Sequence, residues 1–178
     1  MTSAHRVSAG AVVAALRRAL DERADRPADP LLGLLFDLQR NNLAQWELED
    51  ETRRPDADDA AVAAAKTGID RLNATRHQLV EELDAAIDRA VSQTRTATPS
   101  TESPAMVFDR LSVLVIRIHH TEVAARSDRA APAVYAERLP ILYGQLAVLE
   151  EALDAFLAEV WAGTRRFVPY RHLKLYAP

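Results

Sequence analysis

The sequence predicts an all-α fold, an up-and-down bundle of about five helices with a docked C-terminal tail. Three observations predict it. Apolar residues recur at spacings of three and four over long stretches, the period of a helix with one buried face. Nothing alternates with period two over a useful length, so a sheet is not expected. Only 5 glycines interrupt 178 residues, so most of the chain can be regular structure.

Helix one is expected from about Val7 to Ala24, with Val12, Val13, Leu16 and Leu20 as its apolar stripe. Pro27 and Pro30 then break the chain. Helix two is expected from Pro30 to Arg54. Proline suits a first helical turn, where its missing N–H has no helical partner. Helix three is expected from about Asp58 to Gln93, capped by Asp58 or Asp59, with Gly68 as a weak point. Residues 94–104 are rich in Thr, Ser and Pro and read as a loop. Helix four is expected from Pro104 to Arg126; its apolar run from Val107 to Ile118 marks the most buried helix. Helix five is expected from Pro132 to Gly163, kinked or broken at Pro140. The tail carries Phe167, Tyr170, Leu173, Leu175 and Tyr176, too many large side chains for a free end. It is expected to dock on its own domain or on a neighbouring subunit.

These elements fit one domain over residues 1–178: an N-terminal helix and linker (1–29), a bundle core (30–163) and the tail (164–178). The 22 basic and 26 acidic residues give a net charge of −4, no electrostatic footprint for nucleic acid. There is no cysteine, which excludes disulfides, thiolate metal sites and cysteine nucleophiles. The N-terminal apolar stretch from Ala9 to Leu16 is short and followed at once by charges, unlike a secretion signal. No apolar run reaches the roughly 20 residues that span a bilayer. The expected location is the cytoplasm, with no membrane partner.

The informative feature is polar residues on faces that begin as apolar. On helix two, Leu31, Leu35 and Leu38 lead by helical spacing to Asn42, Trp46, Glu49 and Arg53. At about 100° per residue these stay within roughly 30° of Leu35. On helix three, Lys66, Asp70, Asn73 and His77 form one polar stripe, and Arg76 falls near the apolar one. On helix four, Asp109 and Arg110 open a very apolar segment. Ser112, Arg117, His119 and His120 follow, with Asp109, Ser112 and one of the two histidines on one side. An inward Asn, Glu or Asp must find partners, because an unpaired buried charge costs several kcal/mol. Two plainer readings stand beside a ligand site. The stripes are solvated faces, or they form an ionic network that fixes helix register.

Four segments carrying these residues resemble, in order, the motifs of domain-of-unknown-function family 4254. They are Asn42 to Arg53 with Trp46, Glu49 and Asp50; Lys66 to Arg76 with Asp70 and Asn73; Ser103 to Ser112 with Asp109 and Arg110, then His119 or His120; and Tyr170 to Tyr176 with Arg171 and Lys174. The chain departs from the pattern at His77-Gln78, where the family usually has Asn-Asp, and at Ala105, usually Gly. The resemblance implies an all-helical bacterial protein and no particular reaction. It also implies, by association only, a biosynthetic setting such as glycan assembly.

A di-metal carboxylate site needs Glu-x-x-His pairs, a zinc hydrolase needs His-Glu-x-x-His, and neither occurs. Phosphate-binding Gly-rich loops and the nucleophile elbow are also missing. No metal and no cofactor are therefore expected. General acid–base chemistry would fall to Glu49, Asp70 and His77. The ligand shell would comprise Asn42, Trp46, Asp50, Arg53, Lys66, Asn73, Arg76, Asp109, Arg110, Ser112, His119, Arg171 and Lys174. The arginines suit bidentate binding of a phosphate or carboxylate. The expected function is binding or processing of a small anionic molecule between helices two, three and four. The alternative is a non-catalytic assembly protein. The aromatic tail and two long apolar helices point to a homo-oligomer in either case.

Overall fold

The computed structural model describes residues 6–127 and 132–173. Among the described residues five helices form, with one short parallel ladder. Helix α1 (Ala9–Arg18) is capped by Ser8, whose hydroxyl accepts the Ala11 N–H, and buries Val12, Val13 and Leu16. It ends earlier than its sequence suggests. Past Ala19 the backbone bonds shorten to three-residue turns, from Leu20 to Arg17 and from Asp21 to Arg18. Asp21, Glu22 and Arg23 offer nothing apolar to bury, so no packing sustains further helix.

Helix α2 (Pro30–Glu51) starts at Asp29, whose carboxylate accepts the N–H of Leu31 and Leu32. Helix α3 (Asp59–Ala90) starts at Asp58, which accepts the Ala61 N–H. It runs unbroken through Gly68. There α2 approaches closely: a Cβ on Gly68 would lie 2.7 Å from Leu48 Cδ1. Helix α4 (Pro104–Arg126) is capped by Ser103 and buries residues along almost its whole length up to Ile118, as expected. Helix α5 (Pro132–Ala162) continues through Pro140. Pro140 and Ala136, whose carbonyl loses its helical donor, are both exposed, so water can replace the missing bond.

α2 and α3 pack as one hairpin and α4 and α5 as a second, with α1 laid against α2, α4 and α5. Leu16, Leu35, Leu38, Leu83, Ile87, Phe108, Leu111, Leu153 and Leu157 form the shared core. α5 closes with Gly163 at φ 73°; its N–H reaches Val160 O and the Thr164 N–H reaches Glu159 O. This pair of bonds is the Schellman stop, which needs a left-handed residue. It turns the chain into β2 (Arg165–Arg166), parallel to β1 (Thr98–Pro99). A sheet was not expected, and this short ladder leaves the fold all-α as the sequence predicts. Two residues per strand are too few to leave a period-two signal.

The tail docks on its own chain. Phe167 is buried and its N–H donates to Gln93. The Tyr170 N–H donates to Asp84 at 2.8 Å and the His172 N–H to Glu81. Leu173 is exposed, and residues 174–178, with the expected anchors Leu175 and Tyr176, lie outside the described residues.

Candidate functional site

Four polar side chains from three helices meet at the middle of the bundle. Asn42 on α2 donates both amide hydrogens, one to Asp109 Oδ1 at 3.0 Å and one to Ser112 Oγ at 2.9 Å. Arg76 on α3 binds the same carboxylate in fork geometry, Nε to Oδ1 at 2.8 Å and Nη2 to Oδ2 at 2.6 Å. Asn42 is 5% exposed and Ser112 is 0% exposed. The Arg76 and Asp109 side chains are 28% and 18% exposed. Of the Asn, Glu and Arg side chains expected to turn toward the middle of the bundle, Asn42 and Arg76 do so, whereas Glu49 and Arg53 pair with each other at 3.3 Å and stay partly or largely exposed.

The network also fixes which end of Asn42 is spare. A carboxylate only accepts hydrogen bonds, so Nδ2 must face Asp109 and Oδ1 must face away. Asn42 Oδ1 has no partner among the described residues, and Gln45 Oε1 is likewise buried and unpaired. Both residues line a cleft of about 350 Å³ with Trp46, Glu49, Arg53, Arg76 and Arg117. On one side this cleft adjoins a groove of about 840 Å³ between α4 and α5, which it meets at Arg76, Val113 and Arg117. On the other lies a hollow of about 660 Å³ around Trp46, Asp50, His120 and Tyr135. Arg117 lines all three spaces. Its carbonyl accepts from Thr121, but its guanidinium has no hydrogen bond or ion pair among the described residues.

Trp46 lines the cleft and stacks on His120, with centroids 5.3 Å apart and planes 7° apart. His120 Nε2 is buried and unpaired. Burial pushes its imidazole below the usual histidine range, and His119 adds to the effect.

Several expected members lie elsewhere. Glu49 does not reach α3; it pairs with Arg53 one turn along at 3.3 Å, at the rim of the cleft. Asp50 is exposed and also meets Arg53. Lys66 and Asp70 are exposed, with no ion pair among the described residues, so the catalytic role expected of Asp70 loses its basis. The reason is length. α3 has 32 residues and spans about 48 Å, against about 35 Å for the 23 residues of α4. The α2–α3 tip therefore carries its polar stripe beyond the core. Asn73 is half-buried without a side-chain hydrogen bond among the described residues.

His77 faces the tail, not the cleft. Its Nδ1 lies 2.8 Å from Tyr170 Oη and its ring stacks on His172 at 3.8 Å. Burial first, then His172 and Arg76, lower its pKa. This placement removes it from the proton-transfer role expected for it. His119 points to a separate hollow with Arg17, Asp21 and Glu122. Arg110 is paired with Glu102 at 2.7 Å and borders the groove. Arg171 is exposed and meets Glu81. Lys174 lies outside the described residues.

Gln45 and Asp84 were not expected in the site or the fold's polar interior, and Arg117 and His120, noted as polar residues of an apolar helix, were not placed in the expected ligand shell. Arg117 had a signal: it follows Asp109 and Val113 at i+8 and i+4, on the same side of α4. Asp84 had none. It sits in the apolar half of α3, fully buried, and accepts the Ala105 N–H at 2.9 Å and the Tyr170 N–H. Burial pushes its carboxyl above the usual range, against the hydrogen bonds from Ser103, Tyr170 and Ala105. It ties the tail to the start of α4. Among the described residues, no group of three or more His, Asp or Glu is placed to hold a metal ion. No helix among them is long and apolar enough to cross a membrane.

The family described as protein of unknown function, DUF4254, matches residues 33–168. No curated protein and no solved structure matches significantly.

Proposed function

The chain belongs to the DUF4254 family, which names no reaction, and from its geometry we propose that it binds a small anionic molecule. The place is the cleft between α2, α3 and α4, in the cytoplasm of a bacterium and within a biosynthetic pathway. The observation that carries the proposal is Arg117. It is a cation without a counter-charge among the described residues, at the junction of three spaces and beside Arg76, which Asp109 already neutralises. Asn42 Oδ1 and Gln45 Oε1 add vacant acceptors. A ligand carrying a carboxylate or phosphate next to an N–H or O–H group would satisfy both.

Trp46 reports on this cleft. In a Trp161→Phe background it is the sole tryptophan. Inorganic phosphate and malonate should change its fluorescence in a saturable way, and Arg117→Ala should abolish the change while helix content stays as in the parent. An Arg117→Ala protein that responds like its parent, or a parent that responds to neither anion, sinks the proposal.

A second reading, assembly without catalysis, keeps one supporting observation. α5 leaves Val134, Ile141 and Val148 exposed. Phe167 and Tyr170 of the tail do not support it, because both are tied to their own chain. Sedimentation velocity decides: a monomer across the micromolar range sets the assembly reading aside.

A further inference from the structure

The groove between α4 and α5 is larger than the polar cleft and differs from it in character. Its walls are Val113, Leu114, Val148 and Leu149, and its volume of about 840 Å³ is within the range of small-molecule sites. Val148 is 68% exposed, although it sits in a helix of high mean hydropathy. Charged side chains of α3 and α4 border the groove, and most of that charge is already committed. Arg76 is tied to Asp109 and Arg110 to Glu102. Arg117 is left as the one groove cation without a partner among the described residues, at the opening shared with the polar cleft.

We propose that the ligand is a single-chain anionic amphiphile, its carboxylate or phosphate head at Arg117 and its alkyl chain laid along the α4–α5 groove. This rests on the anion-site reading above and adds the apolar half of the molecule. The charge pattern selects the occupant. A neutral apolar ligand would leave Arg117 unpaired, and a small anion would leave the groove walls wet.

Gly144 supplies a clean probe. It lines the groove, and a Cβ built on it meets nothing within 4 Å. Gly144→Phe therefore starts from an unobstructed Cβ and sends a ring into the groove. The assay is Trp46 fluorescence in the Trp161→Phe protein, titrated with octanoate, decanoate, dodecanoate and dodecyl phosphate below micelle formation. Each methylene that becomes buried should tighten binding about fourfold. Dodecanoate should then bind more than about tenfold tighter than octanoate. Gly144→Phe should remove that chain-length gain while leaving the response to inorganic phosphate. Val148→Glu, at an exposed position that does not threaten folding, should weaken dodecanoate as well.

If phosphate binds but dodecanoate binds no tighter than octanoate, the amphiphile inference falls and the anion site stands. If phosphate also fails, the anion-site reading falls with it. A neutral dodecyl maltoside that binds as tightly as dodecanoate overturns the role of Arg117. A dimer in sedimentation that Gly144→Phe dissociates would make the groove an interface between copies, and would overturn the proposal.

Discussion

Asp109→Ala tests the centre of the bundle most directly. Asp109 accepts three hydrogen bonds, two from the Arg76 guanidinium and one from Asn42. Removing it leaves Arg76 without a counter-charge and one Asn42 N–H unpaired. Breaking a fully buried pair from one side costs about 3–5 kcal/mol. Arg76 retains 28% of its exposure, so water recovers part of that, and the expected loss is about 3 kcal/mol. At a urea m-value of roughly 2 kcal/mol/M the unfolding midpoint should fall by about 1.5 M. Arg76→Leu alone should cost a similar amount. The double substitution Arg76→Leu with Asp109→Ala should cost little more than either, a coupling of about 2 kcal/mol. Strict additivity, or a midpoint shift corresponding to less than about 0.5 kcal/mol for Asp109→Ala, would refute the view that this network joins the three helices. Arg117→Ala is the counterpart. An exposed, unpaired side chain should leave stability within about 0.5 kcal/mol of the parent while ligand response is lost. Loss of both together would assign Arg117 to structure.

Three other outcomes are expected. Gly163→Ala should destabilise by about 1–2 kcal/mol in thermal or urea unfolding, because alanine pays for the left-handed backbone and its Cβ would lie 3.2 Å from Ser92 O. Gly144→Ala, in open space on a helix, should instead stabilise by up to about 1 kcal/mol; a loss there would mean α5 is covered at that point. The pH dependence should carry two opposed contributions. His77 and His120 have folded pKa values lowered from 6.5, so the unfolded chain binds more protons just below that value and stability is lost as pH falls through it. Asp84 has a folded pKa raised from 3.8, so the folded chain holds the extra proton and stability is lost as pH rises from that value through the folded pKa. His120→Gln should flatten the fall below pH 6.5, and an unchanged profile would show that His120 is as well solvated folded as unfolded.

The helices were legible because helix formation and burial are local and periodic. Leu35 and Leu38, or Val107 to Ile118, announce a buried face by spacing alone. Asp58 announces its helix start because a cap needs only the next three residues, and Pro30 and Pro104 mark two other starts. Asn42, Trp46, Arg76, Asp109 and Ser112 could be found as polar residues on faces that otherwise pack. Their meeting is consistent with that signal, since each buried polar atom demands a partner. The turn after Arg18 and the β1–β2 ladder were not legible. The first was decided by the lack of anything to pack, and the second by pairing across more than 60 residues of chain.

What the sequence determined by itself is therefore the inventory: about five helices, the buried stripes and a set of polar groups in need of partners. Only the tertiary structure decided who met whom. It sent His77 to the tail, put His120 rather than His119 against Trp46, left Lys66 and Asp70 in water, and set Arg117 alone where three spaces join. Helical period fixes the direction of a side chain relative to its own axis. It does not fix how far each helix extends beyond its neighbours or how each is rotated about its axis. Those quantities follow from the sum of all packing contacts, and they select which polar groups face a cleft and which face solvent.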